Sequence, residues 1–91
     1  MYVEVDIISA RHFNILMMVS KIANTVKIQF KETLLEEFKD YEANNESLTE
    51  NLSIQFEKDA QFPSNMLLVL FNVFKNIKAL SLTVGNELNE T

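Results

Sequence analysis

The 91-residue sequence contains no cysteine, no tryptophan, one glycine and one proline. Without cysteine, disulfides, thiolate nucleophiles and cysteine-based zinc or iron–sulfur sites are excluded. With a single glycine, Gly85, a glycine-rich loop that cradles phosphate is excluded as well. Hydrophobic residues make up 47% of the chain, which is typical of a folded protein rather than a disordered one. The length predicts one domain over residues 1–91.

Charge and hydropathy argue against two further classes of partner. The net charge is −5, and the acidic residues concentrate in the middle third of the chain, so no basic stripe is available for a nucleic-acid backbone. The longest apolar run, residues 66–71, is far shorter than the ~20 residues of a membrane-spanning helix. Glu4 and Asp6 fall where a signal peptide would be basic or apolar. We expect a cytoplasmic protein that binds neither nucleic acid nor membrane.

Four segments alternate apolar and polar residues with a period of two, which predicts strands that are buried on one face. They are residues 3–7, 26–30, 52–56 and 80–84. The second and third both end in Ile-Gln-Phe, with Ile and Phe on one face and Gln on the other. We interpret this repetition as the same requirement for a half-buried strand arising twice rather than as a duplication, because repeat architectures need three or more copies.

Three segments between these strands have helical periodicity. The first, residues 10–24, places Ser20 and Lys21 outward and has a predicted inner face of Ile15, Leu16, Met18, Val19, Ile22 and Ala23. The second is an acidic helix over residues 33–43 that begins with a capping box, Thr33-Leu34-Leu35-Glu36. The third begins near residues 63–64, with a predicted inner face of Met66, Leu70, Val73, Phe74 and Ile77. We predict helix rather than strand for residues 66–74, because the apolar pattern is too long for a strand.

The predicted elements follow the order strand, helix, strand, helix, strand, helix, strand. If the acidic helix is an insertion, the remainder has the β-α-β-β-α-β order of the ferredoxin-like fold. We therefore predict an α+β open-faced sandwich. It consists of a four-stranded antiparallel sheet that helices cover on one face, with the acidic helix as an addition.

His12 is the first candidate for chemistry. Histidine changes charge near neutral pH, and the chain has only one. It follows Arg11 at the junction of the first strand and the first helix, a position that resembles that of the phosphorylated histidine in phosphocarrier proteins of the HPr type. Their Gly-x-His-x-Arg-Pro context is missing here. The resemblance implies phosphoryl transfer through His12, with Arg11 steadying the phosphate. The alternative is a histidine that packs at the sheet edge with one ring nitrogen hydrogen-bonded.

Other chemical sites find less support in the sequence. Glu36, Glu37 and Asp40 share one helical turn and could hold a hard cation, but the same spacing is usual on a solvated acidic helix. No recognisable motif places a serine beside a base. We therefore expect no catalytic residue, no metal, no cofactor and no enzymatic activity.

Apolar residues outside the predicted core are the strongest indication of function. Phe13 and Met17 lie one turn apart, away from the predicted inner face of the first helix, and Leu68 and Phe71 lie outside that of the third. Burying Phe13 and Met17 would contribute on the order of 3 to 5 kcal/mol. Either the acidic helix covers these four side chains or a second protein does, most simply another copy in a two-fold dimer. We predict a non-catalytic protein–protein interaction module, a homodimeric regulatory or accessory protein.

Overall fold

Four parallel strands and two helices account for most of the structure. The computed structural model describes residues 1–7, 9–31, 42–58, 60–61, 65–85 and 87–88. The strands are β1 (Tyr2–Ile7), β2 (Thr25–Phe30), β3 (Asn51–Phe56), β4 (Ala79–Val84) and the two-residue β5 (Glu87–Leu88). A 3-10 turn (Ala10–His12) leads into α1 (Phe13–Ser20), and α2 (Met66–Val73) precedes β4. All four predicted strands are therefore present, each within one or two residues of its predicted bounds.

The strands form one sheet in the order β1-β2-β3-β4-β5. The first four are parallel, and β5 runs antiparallel to β4. Their first residues, Tyr2, Thr25, Asn51 and Ala79, stand opposite one another across the sheet. Each connection must therefore return the chain to the edge where the previous strand began, which a tight turn cannot do.

The predicted antiparallel, ferredoxin-like sheet is wrong. That prediction treated the acidic segment as an insertion and so made β2 and β3 a hairpin. In the structure β2 lies parallel to β3, with Phe30 opposite Phe56, so the two strands cannot form a hairpin. Alternation along all four strands also favoured the antiparallel prediction, because parallel strands are commonly buried on both faces. Here the two described helices lie on the same face of the sheet, which is compatible with the alternating pattern of the parallel strands.

The two Ile-Gln-Phe tripeptides lie side by side in the sheet. Ile28 stands opposite Ile54, Gln29 opposite Gln55, and the two phenylalanines opposite each other. The rings of Phe30 and Phe56 stack with their centroids 5.4 Å apart and an interplanar angle of 15°. The tripeptides therefore occupy equivalent positions on two adjacent strands of the sheet.

The four parallel strands begin at nearly regular intervals along the chain. The strands begin at residues 2, 25, 51 and 79, that is, 23, 26 and 28 residues apart. Stacks of units in which each unit contacts only its neighbours are solenoids, and units of about 20 to 29 residues with one strand each line curved sheets. In this spacing and strand order the described strands resemble a short solenoid, with both described helices on the same face of the sheet.

The core lies between one face of the sheet and the two helices. Among the described residues, its buried apolar side chains are Ile7, Phe13, Leu16, Val19, Ala23, Val26, Ile28, Phe30, Leu52, Ile54, Met66, Val69, Leu70, Val73 and Phe74. They form a single cluster, so α1 and α2 pack on the same face of the sheet. Among the described residues, no helix combines the length and the apolar character needed to cross a membrane.

The prediction of a helix rather than a strand is confirmed for residues 66–73, whereas the predicted inner face of α1 is right for Leu16, Val19 and Ala23 and wrong for Ile15, Met18 and Ile22. Helix α2 buries Met66, Leu70 and Val73 as expected. Helix α1 instead buries Phe13 and Ser20 together with Leu16 and Val19, and exposes Ile15, Met18 and, just beyond its end, Ile22. Nearly every residue of α1 is apolar, so periodicity alone fixes its orientation poorly.

A buried polar contact decides the orientation of α1. The side-chain amide of Asn44 donates to Ser20 Oγ over 2.8 Å, and Ser20 Oγ donates to the Met17 carbonyl over 2.8 Å. A buried hydroxyl needs such partners, and the observed orientation of α1 supplies them while it also buries Phe13.

Several predictions fall outside the described residues. They concern the acidic helix, of which residues 32–41 are not described, the carboxylates Glu36, Glu37 and Asp40, the start of the third helix at residues 63–64, and the tail at residues 89–91.

Candidate functional site

The four side chains predicted to form an interface lie in two different environments. Phe13 is 0% exposed within the core, and Met17 is half-buried against it. Leu68 is 65% exposed, and Phe71 is also exposed, both on α2. The chain's own fold covers Phe13, which corrects its assignment to the surface. Leu68 and Phe71 remain available to a partner.

A different set of apolar side chains lies on the outside of the helices. On α1 and the turn after it, Ile15, Met18 and Ile22 follow one stripe at spacings of three and four residues. Met18 is 71% exposed. We define the outer helix surface as the exposed apolar residues of both helices, namely Ile15, Met18, Ile22, Leu67, Leu68 and Phe71. The two helices that carry these residues are in contact.

Sequence reasoning missed the α1 part of this surface, because it assigned Ile15, Met18 and Ile22 to the core. The decisive contact, between Ser20 and Asn44, joins residues 24 apart in the chain. No local pattern in α1 carries that information. The polar character of Ser20 favoured the wrong orientation, because an isolated serine in an apolar helix usually lies on the exposed side.

At the C-terminal end of the solenoid, the helix-side face of β4 is exposed, although the same face of the neighbouring strand β3 belongs to the core. Leu80, Leu82 and Val84 stand opposite Leu52, Ile54 and Phe56 but are 45%, 44% and 43% exposed. Within the described residues no helix follows β4 to cover them. Phe71 of α2 and Leu80 line a common cavity, so the apolar surface continues from strand to helix. We define the C-terminal end as Phe71, Leu80, Leu82 and Val84.

The N-terminal end is open in the same way. Val3 and Val5 of β1 are half-buried, whereas Val26 and Ile28, which stand opposite them on β2, are buried. Ile15 lies about 140° around α1 from Ser20, on the flank turned away from α2. We define the N-terminal end as Val3, Val5 and Ile15. Both ends therefore carry apolar side chains of a strand and of the adjacent helix.

The face of the sheet opposite the helices is polar. Its two central rows are Glu4, Lys27, Ser53 and Ser81, and Asp6, Gln29, Gln55 and Thr83. Asp6 forms an ion pair with Lys31 at 3.3 Å, and both side chains are half exposed. An exposed pair of this kind contributes little to stability. The row residues alternate in charge and hydrogen-bonding type, as is usual for a solvated face.

Tyr2 and Glu4 form the pair with the clearest electrostatic effect on this face. Tyr2 Oη donates to Glu4 Oε1 over 2.7 Å. This hydrogen bond, then desolvation of the phenol, and last the negative charge of Glu4, raise the pKa of Tyr2 above its ordinary value of 10.0. The raised pKa means that folding favours the protonated phenol. The contribution to stability is present below pH 10.0 and is lost as the pH rises through the raised pKa.

We expect Glu4→Ala to return the pKa of Tyr2 toward 10.0, because both the acceptor and its charge are removed. The measurement is the ultraviolet absorbance of tyrosinate during alkaline titration. It is made in a Tyr41→Phe background, which leaves Tyr2 as the only tyrosine. A titration midpoint that stays the same after the substitution of Glu4 would show that the hydrogen bond is not formed in solution.

His12 and Arg11 lie where the sequence placed them, beside the start of α1. His12 is half-buried at the N-cap position of α1, and its backbone N–H donates to the Ser9 carbonyl over 3.1 Å. Arg11 is exposed. In the described part of the chain, no three histidine, aspartate or glutamate side chains are grouped closely enough to hold a metal ion.

Comparison with known proteins leaves the chain without a recognised relative. No family model, no curated protein and no solved structure matches it. Its function must accordingly be inferred from its own residues and their geometry.

Proposed function

We propose that this chain is a small non-catalytic protein–protein interaction module that associates with a second copy of itself through the outer helix surface. The observation that carries the proposal is the exposure of large apolar side chains on both helices, above all Met18 and Leu68. Single exposed apolar residues are ordinary on a protein surface, but a contiguous apolar surface marks a contact site.

The position of this surface supports a role in association. The two stripes belong to helices that touch, so they can be covered together by one partner. Covering a side chain such as Leu or Met contributes about 1.5 to 3 kcal/mol relative to leaving it in water. Two-fold pairing is the simplest solution, because one apolar patch then covers its own copy.

The solenoid arrangement supports the same class of function by analogy of fold. Stacked repeats present extended surfaces, and proteins built this way commonly use them for binding. A regulatory or accessory role in the cytoplasm completes the proposal. The cysteine-free sequence is consistent with a reducing compartment.

Substituting Met18→Lys together with Leu68→Lys should weaken self-association at least tenfold, because the contact would then have to bury two charges. The measurement is sedimentation equilibrium over a wide range of protein concentration. The matched control is Asn45→Lys with Asn51→Lys, which adds the same charge at two exposed polar positions outside the outer helix surface. The control should associate like the wild type. A wild type that stays monomeric throughout, or equal weakening in both double variants, would contradict the proposal.

A further inference from the structure

The two ends of the solenoid match each other. The inner row of β1 is Val3, Val5 and Ile7, and the inner row of β4 is Leu80, Leu82 and Val84. We propose that a second copy of this chain docks its N-terminal end onto the C-terminal end of the first, so that β1 of one copy continues the parallel sheet beside β4 of the other. This contact shares Ile15 and Phe71 with the outer helix surface, but its strand pairing uses neither Met18 nor Leu68 and does not depend on the proposed function.

The register within the chain shows how such a contact would be formed. Val3 stands opposite Val26, Val26 opposite Leu52, and Leu52 opposite Leu80. This row of apolar side chains ends at Leu80 of β4. Val3 of an incoming copy is also apolar and lies at the matching position along its strand, so it would extend the row. The same holds for Val5 beside Leu82. On the helix side, Ile15 of the incoming copy would face Phe71, as the flank of one helix faces the next within the chain.

The edges of the sheet are consistent with this pairing. β1 is at the edge of the sheet, with no neighbouring strand on its outer side among the described residues. Such an edge presents unpaired N–H and C=O groups that another strand can bind. In the described part of the chain, the outer edge of β4 is occupied by β5 alone, which pairs with Thr83 and Val84. Pairing of β1 along the whole of β4 therefore requires that β5 be displaced.

Charge disfavours the symmetric alternative at β1. If two β1 strands paired antiparallel with their apolar rows on the same side, the registers that pair most of the strand would place Glu4 opposite Glu4 or opposite Asp6. Like charges directly opposite each other destabilise a sheet. In the head-to-tail arrangement Glu4 instead stands beside Ser81, and Asp6 beside Thr83. The acidic residues of β1 therefore select β4 over a second β1.

A mixing experiment with end-blocked variants tests the proposal. All proteins carry Met18→Lys and Leu68→Lys, so that association through the outer helix surface is removed. One variant adds Leu80→Lys and Leu82→Lys at the C-terminal end, and the other adds Val3→Lys and Ile15→Lys at the N-terminal end. Circular dichroism verifies that each is folded. If Val3→Lys prevents folding, Ile15→Lys alone serves as the second variant, because Ile15 is exposed.

The background protein should grow in mass with concentration beyond a dimer, because a head-to-tail contact leaves a free end at each step. Each end-blocked variant alone should stay monomeric, and an equimolar mixture should give a species of twice the monomer mass. A mixture that stays monomeric while both variants are folded would overturn the proposal. So would an end-blocked variant that dimerises alone, since that shows a symmetric contact. A background protein that is monomeric, beside a self-associating wild type, would leave the proposed function intact and refute only the head-to-tail contact.

Discussion

Phe13→Ala is expected to lower the free energy of unfolding by about 3 to 5 kcal/mol, the range for removing a buried aromatic ring. Phe13 is fully buried at the first residue of α1 and belongs to the same apolar cluster as the strands beneath it. Truncation removes the ring's transfer free energy and leaves a cavity that the sheet and helix close only in part. A domain of this size has a total stability of about 5 to 15 kcal/mol, so the loss would be a large fraction of it.

Urea unfolding followed by circular dichroism measures this loss, and Met18→Ala is the matched control. Met18 lies on the same helix but is 71% exposed, so its truncation should change the free energy of unfolding by less than about 0.5 kcal/mol. A larger loss at Met18 than at Phe13 would mean that α1 has the orientation predicted from its periodicity, with Met18 inside and Phe13 outside. The pair of variants therefore decides directly between the two orientations of the helix.

The strands and α2 could be predicted because their signals are local. Alternation over five or six residues identifies a half-buried strand wherever it lies in the sheet, and β1 to β4 all follow it. The inner face of α2 is equally clear from the spacing of Met66, Leu70 and Val73. Neither signal depends on knowing which element is the neighbour.

Strand pairing could not be predicted in the same way, because it depends on the connections. Alternation is compatible with parallel and antiparallel neighbours as long as one face is open. The available signal was the length of the segment between β2 and β3, residues 31–50, which is longer than a hairpin turn and suits a crossover. Treating this segment as an insertion removed the one feature that distinguishes the two topologies. The matching tripeptides were a second signal, since parallel strands in register place the same demand for buried and exposed side chains on equivalent residues.

The candidate surface was predicted only on α2. Leu68 and Phe71 lie outside the core as the helical periodicity indicated. On α1, Ile15 and Met18 are exposed because a distant residue fixes the rotation of the helix, and a hydropathy pattern does not contain that contact. Errors in the orientation of a helix are expected where the helix is apolar on all sides, because hydropathy then does not single out one face for burial.

Asn44→Ala is expected to lower the free energy of unfolding by about 2 to 4 kcal/mol, because it removes the side chain that joins the two helices. The amide of Asn44 donates to Ser20 Oγ and also to the Val73 carbonyl over 3.1 Å, and both contacts are buried. Its backbone N–H donates to the Asn72 carbonyl over 2.8 Å. Without the amide, the Val73 carbonyl at the end of α2 loses this partner in an environment that is closed to water, and such a group costs about 1 to 3 kcal/mol.

A double-mutant cycle with Ser20→Ala separates this hydrogen bond from a general loss of packing. If Asn44 acts through Ser20, the effect of Asn44→Ala should be smaller in the Ser20→Ala background, with a coupling of about 0.5 to 1.5 kcal/mol. The control is Asn45→Ala, because Asn45 is exposed and its substitution should change stability by less than about 0.5 kcal/mol. Strictly additive effects of the two substitutions would show that Ser20 and Asn44 do not interact. The rotation of α1, and with it the exposure of Met18, would then need another cause.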